Sequence, residues 1–307
     1  MSKNARGLRT LATLWIMLSL AAWAHGQTPT PDADEETPVA VSVPIRERLL
    51  LVPLTLGHDR VVQLHARLCL PNSADPATLV LINHGSPPQA ADRPRMKLGG
   101  CDQEAAQWFL SRGFAVAFVL RRGYGETGGE WAEDPLGCGH PEYVRGGIET
   151  AIDVDAAVDF LTRQPEVKPS DVVVVGQSAG GWGAIAYASA LHPKVAAFVV
   201  MAGGRGGHRD NRPHNNCRPD LLADAAGRFG KTARTPMLWI YTENDSYFAP
   251  SIARAMYHSF TAAGGVADFE QPGPYGTDGH RLFFGAGGSA VWGPLVERYL
   301  AQQHIRP

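Results

Sequence analysis

Apolar and polar positions change period several times along this chain, and each change marks an element. Residues 48–56 and 60–70 alternate or run apolar on either side of Gly57-His58-Asp59, which predicts an antiparallel hairpin at a sheet edge. Short apolar runs at 78–82, 114–120, 172–175, 195–201, 237–241 and 266–270 have strand length. Between them lie stretches of helical spacing. Residues 102–112 place Ala106, Phe109 and Leu110 inward and stop at Gly113, and 148–163 place Ile152, Ala156 and Phe160 on one face. Further helices are expected from Ala179 to His192 and over 220–229, 251–263 and 291–302. Strands that alternate with helices after an opening hairpin predict an α/β fold: a mostly parallel central sheet with helices on both faces.

The first residues do not follow this pattern. Lys3, Arg6 and Arg9 precede an apolar stretch from Leu11 to Ala22, and Ala22-Trp23-Ala24 offers a small-residue cleavage site. Residues 1–24 are therefore expected to be a signal peptide cut after Ala24, with export to the periplasm or beyond. A membrane anchor is the alternative, but the apolar run is short for spanning. Residues 25–44 are rich in Pro, Thr, Asp and Glu and form an expected flexible lead-in, which leaves 45–307 as one catalytic domain. At 307 residues and a net charge of −2, the chain is long enough for a large core and too neutral for nucleic acid to be its main partner. No stable membrane association is expected after cleavage.

The chemistry centres on Gly176-Gln177-Ser178-Ala179-Gly180, which joins the run Val172–Val175 to a small-residue helix. Strand, tight turn and helix around G-x-S-x-G make a nucleophile elbow, with the serine oxygen pushed out above the sheet. A serine needs a base, and the base needs an orienter. Ser178 is the expected nucleophile. Asp245, at the end of the strand 237–241, is the expected acid with Glu243 as the alternative, and His280, in the loop after the last strand, is the expected base. The oxyanion formed on attack requires two preorganised donors. These are expected to be the backbone N–H of Ala179 and that of Ser86, with Gly85 as the alternative to Ser86; His84 then shapes the loop.

The segments Asn83-His84-Gly85-Ser86-Pro87, Arg121-Arg122-Gly123-Tyr124-Gly125, Gly176 to Gly181, Glu243 to Phe248 and Asp278-Gly279-His280 together resemble the dienelactone hydrolase-like branch of the α/β-hydrolases. That branch is close to prolyl-oligopeptidase-type catalytic domains. The resemblance runs from about Leu49 to the C-terminus. It implies the α/β-hydrolase fold, hydrolysis of a small-molecule carboxylic ester through an acyl-enzyme, no cofactor, and Ser178, Asp245 and His280 as the triad. Dienelactone hydrolases proper use a cysteine nucleophile; serine here favours ordinary esters. A prolyl-oligopeptidase-type peptidase and a non-catalytic binding protein on a hydrolase scaffold are the competing readings.

Tyr124, Trp182 and Tyr247 are the expected substrate contacts, although Trp182 could instead pack the elbow helix. The loop 203–218 carries Arg205, His208, Arg209, Arg212, His214 and Arg218, read either as a positive rim for acidic substrates or as a solvated loop. His208, His214 and Cys217 have no compact metal-site spacing, so no metal is expected. Four cysteines in an exported chain suggest disulfides. Cys101, Cys138 and Cys217 are expected in or beside loops at the top of the sheet and Cys69 at its bottom, so Cys138–Cys217 is the expected pair. Cys101–Cys138 is the rival pairing, and Cys69 is expected to be a small buried core residue.

Overall fold

Four consecutive valines, Val172–Val175, are fully buried, with Val172 and Val174 in one core and Val173 and Val175 in the other. That is the period of two expected for a strand covered on both faces. The structure, a computed structural model, describes residues 46–307 apart from His58. The expected signal peptide and lead-in, with His25, lie outside the described residues, as does His58.

In chain order the elements are β1 (Arg46–Leu56), β2 (Arg60–Leu70), β3 (Leu79–Asn83), α1 (Glu104–Leu110), β4 (Ala115–Val119), α2 (Tyr143–Leu161) and β5 (Val172–Gln177). They continue with α3 (Ala179–Tyr187), β6 (Val195–Met201), α4 (Pro219–Gly230), β7 (Met237–Ile240), α5 (Pro250–Ala262), β8 (Ala267–Glu270) and α6 (Ser289–Gln302). Among the described residues the eight strands form one sheet in the order β1-β2-β4-β3-β5-β6-β7-β8. β1 with β2 and β2 with β4 are antiparallel; every later pairing is parallel. This is the α/β-hydrolase fold.

The strand order positions the site. After β4 the chain returns across β3 to lay down β5, so β3 and β5 are neighbours, with Asn83 opposite Gly176. A reversal of this kind opens a crevice at the carboxyl ends of the two strands. Here it brings the loop after β3 against the elbow after β5. Helices α2 to α5 cover one face around Trp182, Phe229, Trp239 and Phe260, and α1 and α6 cover the other around Trp108, Phe109, Phe283 and Trp292.

Three expectations are corrected. The helix expected from Ile148 begins at Tyr143. Gly146 and Gly147 lie inside it because neighbouring elements press on them: a Cβ on Gly147 would sit 2.9 Å from Ala186 and from Phe229. Cys69 is not a free core residue but is bonded to Cys101, while Cys138 and Cys217 form the expected pair. Cys101 does not lie at the top of the sheet. Because α1 has only seven residues, much of the descent from β3 is made by the preceding segment, which crosses the sheet face over Phe118; a Cβ on Gly99 would meet that ring. The chain therefore reaches the level of Cys69 before α1 begins.

Candidate active site

Ser178 holds φ +54° and ψ −119°, a backbone state that costs a residue with a β-carbon on the order of 1–3 kcal/mol. The neighbouring glycines make the turn possible. A Cβ on Gly176 would lie 2.3 Å from the Gly180 carbonyl, and one on Gly180 would lie 2.3 Å from the Asn83 carbonyl. The turn is pinned from outside as well, since the Ser178 N–H donates to Met201 O at 3.0 Å and its carbonyl accepts from Gly204 N–H at 3.0 Å.

Asp245 is wholly buried. Its Oδ1 accepts from the N–H groups of Tyr247 and Phe248, both at 2.8 Å, and both carboxylate oxygens stand 3.1 Å from His280 Nδ1. A carboxylate only accepts, so Nδ1 carries the proton and Nε2 is left as the basic nitrogen. His280 and Ser178 border the same cavity. Glu243, the alternative acid, is exposed.

Residues that sequence reasoning passed over hold the histidine. Asp278 Oδ1 accepts from the N–H groups of His280 (3.1 Å) and Ser246 (3.0 Å), and its Oδ2 accepts from the Ser246 hydroxyl at 2.7 Å. Burial pushes the Asp278 carboxyl up, but the Ser246 and His280 hydrogen bonds outweigh it and hold the group below its ordinary value. Gln177, inside the elbow, donates to the His280 carbonyl at 3.1 Å. Tyr247 stacks on the His280 ring at 4.1 Å, and His208 stacks on Tyr247 at 3.7 Å with the rings 3° from parallel. The Ser246 hydroxyl directs its one O–H to Asp278, so His208 Nε2, at 2.8 Å, donates to the Ser246 oxygen. Asp278 and Ser246 were visible in the quoted motifs, but nothing in their spacing announces these contacts.

The loop after β3 lies directly against the elbow: a Cβ on Gly85 would be 3.1 Å from Ser178 Cβ. Ser86 and Ala179 share the rim of a cavity with Ser178. As first residue of α3, Ala179 has an N–H with no acceptor inside the helix. His84 Nδ1 donates to Gly85 O at 2.7 Å and its Nε2 accepts from the Arg121 N–H. Burial first, then the Arg121 charge, lower its pKa to about 3, so it stays neutral and shapes the loop.

Beneath this loop lies a buried charge cluster. Glu133, 2% exposed, accepts from Arg121 Nε (2.9 Å) and Nη2 (3.1 Å), from Thr150 Oγ1 (2.5 Å) and from the Tyr124 hydroxyl, and pairs with Arg205 Nη2 at 2.9 Å. Arg121 Nη1 in turn donates to His84 O at 2.8 Å. Three loops, those after β3, β4 and β6, are thus tied to one carboxylate. Burial alone would raise the Glu133 pKa, but Arg121 and Arg205 prevail and hold it well below the carboxylate range.

Burial corrects two of the expected substrate contacts. Tyr124 is fully buried with its hydroxyl on Glu133, and Trp182 is fully buried with its indole N–H on Tyr143 O at 2.8 Å. Each is an aromatic whose polar atom found an internal partner. Tyr247 does border the site. The arginines of the 203–218 loop form little of a rim: Arg205 is buried on Glu133, Arg209 pairs with Asp210 and Arg218 with Asp220.

Two cavities meet at Ser178. The first, about 340 Å³, is walled by His280, Gln177, Ile82, Phe118, Met96 and Phe284 among others. The second, about 190 Å³, is walled by Ala179, Gly204, Arg205, Trp131, Tyr247 and Phe248 among others. His280 borders the first and not the second.

A family model described as serine aminopeptidase, S33, matches residues 99–230, less than half of the chain. No curated protein sequence matches. Among solved structures, an acylaminoacyl peptidase of Pyrococcus horikoshii superposes with a TM-score of 0.60 at 16% identity, over 84% of this chain and 41% of that one. The chain therefore spans well under half the length of that peptidase. An esterase of Pyrococcus furiosus gives 0.57 at 14% identity, covering 84% of this chain and 90% of that one. The acetyl xylan esterase from Paenibacillus sp. R4 gives 0.55 at 18%, covering 85% and 89%. Sheet order, elbow and these likenesses agree on the α/β-hydrolase fold for this chain.

Proposed function

We propose that the protein is an exported serine hydrolase that cleaves carboxylic esters through an acyl-enzyme. The observation that carries this reading is a serine in a strained elbow that shares a cavity with a histidine whose Nδ1 is held by a buried aspartate. Ser178 Oγ attacks the ester carbonyl while His280 Nε2 takes its proton. The Oγ–C bond forms, and the oxyanion is held by the N–H groups of Ala179 and Ser86. As the tetrahedral species collapses, the bond to the alcohol oxygen breaks and His280 returns the proton to that oxygen. Water, deprotonated by the same histidine, then releases the acid and restores Ser178. Asp245 keeps the imidazole in the required tautomer and stabilises it when charged. Two disulfides and an apolar N-terminal stretch ending in A-x-A support an exported location.

The direct test is labelling with a fluorophosphonate, localised by peptide mass spectrometry, beside turnover of p-nitrophenyl acetate and butyrate. Label on Ser178 and turnover, both absent in Ser178→Ala, are expected. Folded protein that neither labels nor turns over would end the reading and favour a binding role.

A second reading, peptidase activity, is favoured by the aminopeptidase description of the matching family model and the likeness to an acylaminoacyl peptidase. Aminoacyl and acylaminoacyl p-nitroanilides, assayed beside the esters, separate the two.

A further inference from the structure

The two cavities at Ser178 differ in size and in their relation to His280, and that difference bears on what the substrate is. The argument rests on the serine-esterase reading above.

In the tetrahedral species the former carbonyl carbon bears Ser178 Oγ, the oxyanion, the acyl chain and the alcohol oxygen. His280 must reach the alcohol oxygen to return its proton. The alcohol therefore departs on the His280 side. Only the first cavity is bordered by His280, together with Gln177, whose side chain holds the His280 backbone. The acyl chain is left on the opposite side, where the second cavity is walled by Ala179, the residue after the nucleophile, and by the loop after β6.

The sizes are unequal: about 340 Å³ on the alcohol side and about 190 Å³ on the acyl side. For scale, an apolar cavity of about 150 Å³ accepts benzene. The acyl side therefore takes a group of about benzene size, and the alcohol side one of about twice that. The walls differ too. Ile82, Met96, Phe118 and Phe284 make the alcohol side apolar, whereas the smaller acyl side is lined by Trp131, Phe248 and Arg205, the last paired with buried Glu133.

We propose that the substrates are esters of a small acid, with an acyl group of up to about six carbons, and a bulky apolar alcohol.

The test is a two-way ester series assayed on one preparation whose Ser178 has been shown to take a fluorophosphonate. The acyl group runs from acetate through butyrate and hexanoate to decanoate on a fixed p-nitrophenol. The alcohol is varied at fixed acetate, with ethanol against 2-(1-naphthyl)ethanol, two primary alcohols of similar leaving ability. Expected are a fall in kcat/KM of at least about tenfold between butyrate and decanoate and a rise of at least about tenfold from ethyl to naphthylethyl. Trp131→Ala should relieve the acyl limit and leave the alcohol preference in place. Trp131 also touches Tyr124, so Phe284→Ala, at an exposed position on the other wall, supplies an independent arm. It should weaken the alcohol preference and leave the acyl limit in place. A kcat/KM that climbs through decanoate, or indifference to the alcohol in a protein that labels and turns over, overturns the assignment of the cavities. Absence of label and turnover overturns the esterase reading beneath it.

Discussion

Replacing Glu133 by glutamine tests whether the buried cluster anchors the catalytic loops. The exchange is nearly isosteric, so no cavity opens and the loss is electrostatic. Arg121, fully buried, and Arg205, 4% exposed at its side chain, would share a neutral partner with one acceptor oxygen, and the new amide would point N–H groups at donors. Breaking a buried pair by removing one partner costs roughly 3–5 kcal/mol. At roughly 2–4 °C per kcal/mol for a domain of this size, Tm should fall by about 6–20 °C. Because Arg121 also holds the His84 carbonyl, kcat on p-nitrophenyl acetate should fall as well. The pH dependence has a definite sign. The folded-state pKa of Glu133 lies below its unfolded value, so its contribution is complete above the ordinary carboxylate range and is lost only as pH falls through the depressed folded value. The gap between wild type and Glu133→Gln should therefore persist at pH 5 and close only in stronger acid. Thermal unfolding followed by circular dichroism at several pH values measures this. A Tm within about 2 °C of wild type at pH 7 would refute the reasoning, because Arg121 and Arg205 would then have found other partners.

Other positions carry their own expectations. Asp245→Asn keeps an acceptor for the Tyr247 and Phe248 N–H groups but presents an amide donor to His280 Nδ1, so kcat should drop by about 10³–10⁴ and fluorophosphonate labelling should slow in step. His208→Ala removes the outer ring of the His208–Tyr247–His280 stack; at about 0.5–1.5 kcal/mol for such a pair, kcat/KM should fall about 2- to 12-fold. His208→Phe should recover most of that loss, and a Phe variant no better than Ala would show that the hydrogen bond to Ser246 matters instead. Reduction by dithiothreitol opens loops with sequence separations of 32 and 79 residues, for which chain entropy gives about 3.7 and 4.5 kcal/mol. Urea unfolding with and without reductant should show a fall in unfolding free energy of that order, greater than for either Cys69→Ser/Cys101→Ser or Cys138→Ser/Cys217→Ser alone.

Much of this arrangement was legible before any coordinates. Period and length placed β2 at 60–70 and β6 at 195–201 with their observed bounds, because the alternation of β2 and the unbroken apolar run of β6 leave few choices. The elbow declared itself through glycines that the local geometry requires. What could not be read depends on side chains meeting across the fold. Tyr124 stands in a loop motif next to the expected site, yet its hydroxyl turned inward to Glu133, a residue with no motif around it. Cys101 follows a loop at the top of the sheet, and only the shortness of α1 shows how far the chain has already descended. Asp278 and Ser246 support His280 through three-dimensional proximity of two loops, each of which looks unremarkable alone.

The two disulfides bear on the walls of the two cavities rather than on the groups at their junction. Cys101 lies within the segment that supplies Met96, Lys97, Gly99 and Gln103 to the larger cavity, and Cys217 accompanies the loop that supplies Gly204, Gly206 and Gly207 to the smaller one. Neither bond touches Ser178, Asp245 or His280. Oxidation therefore sculpts the walls and leaves the reacting groups alone. With the four cysteines reduced, Ser178 and His280 would keep their own hydrogen-bonded supports while the walls of both cavities each lost a covalent tie.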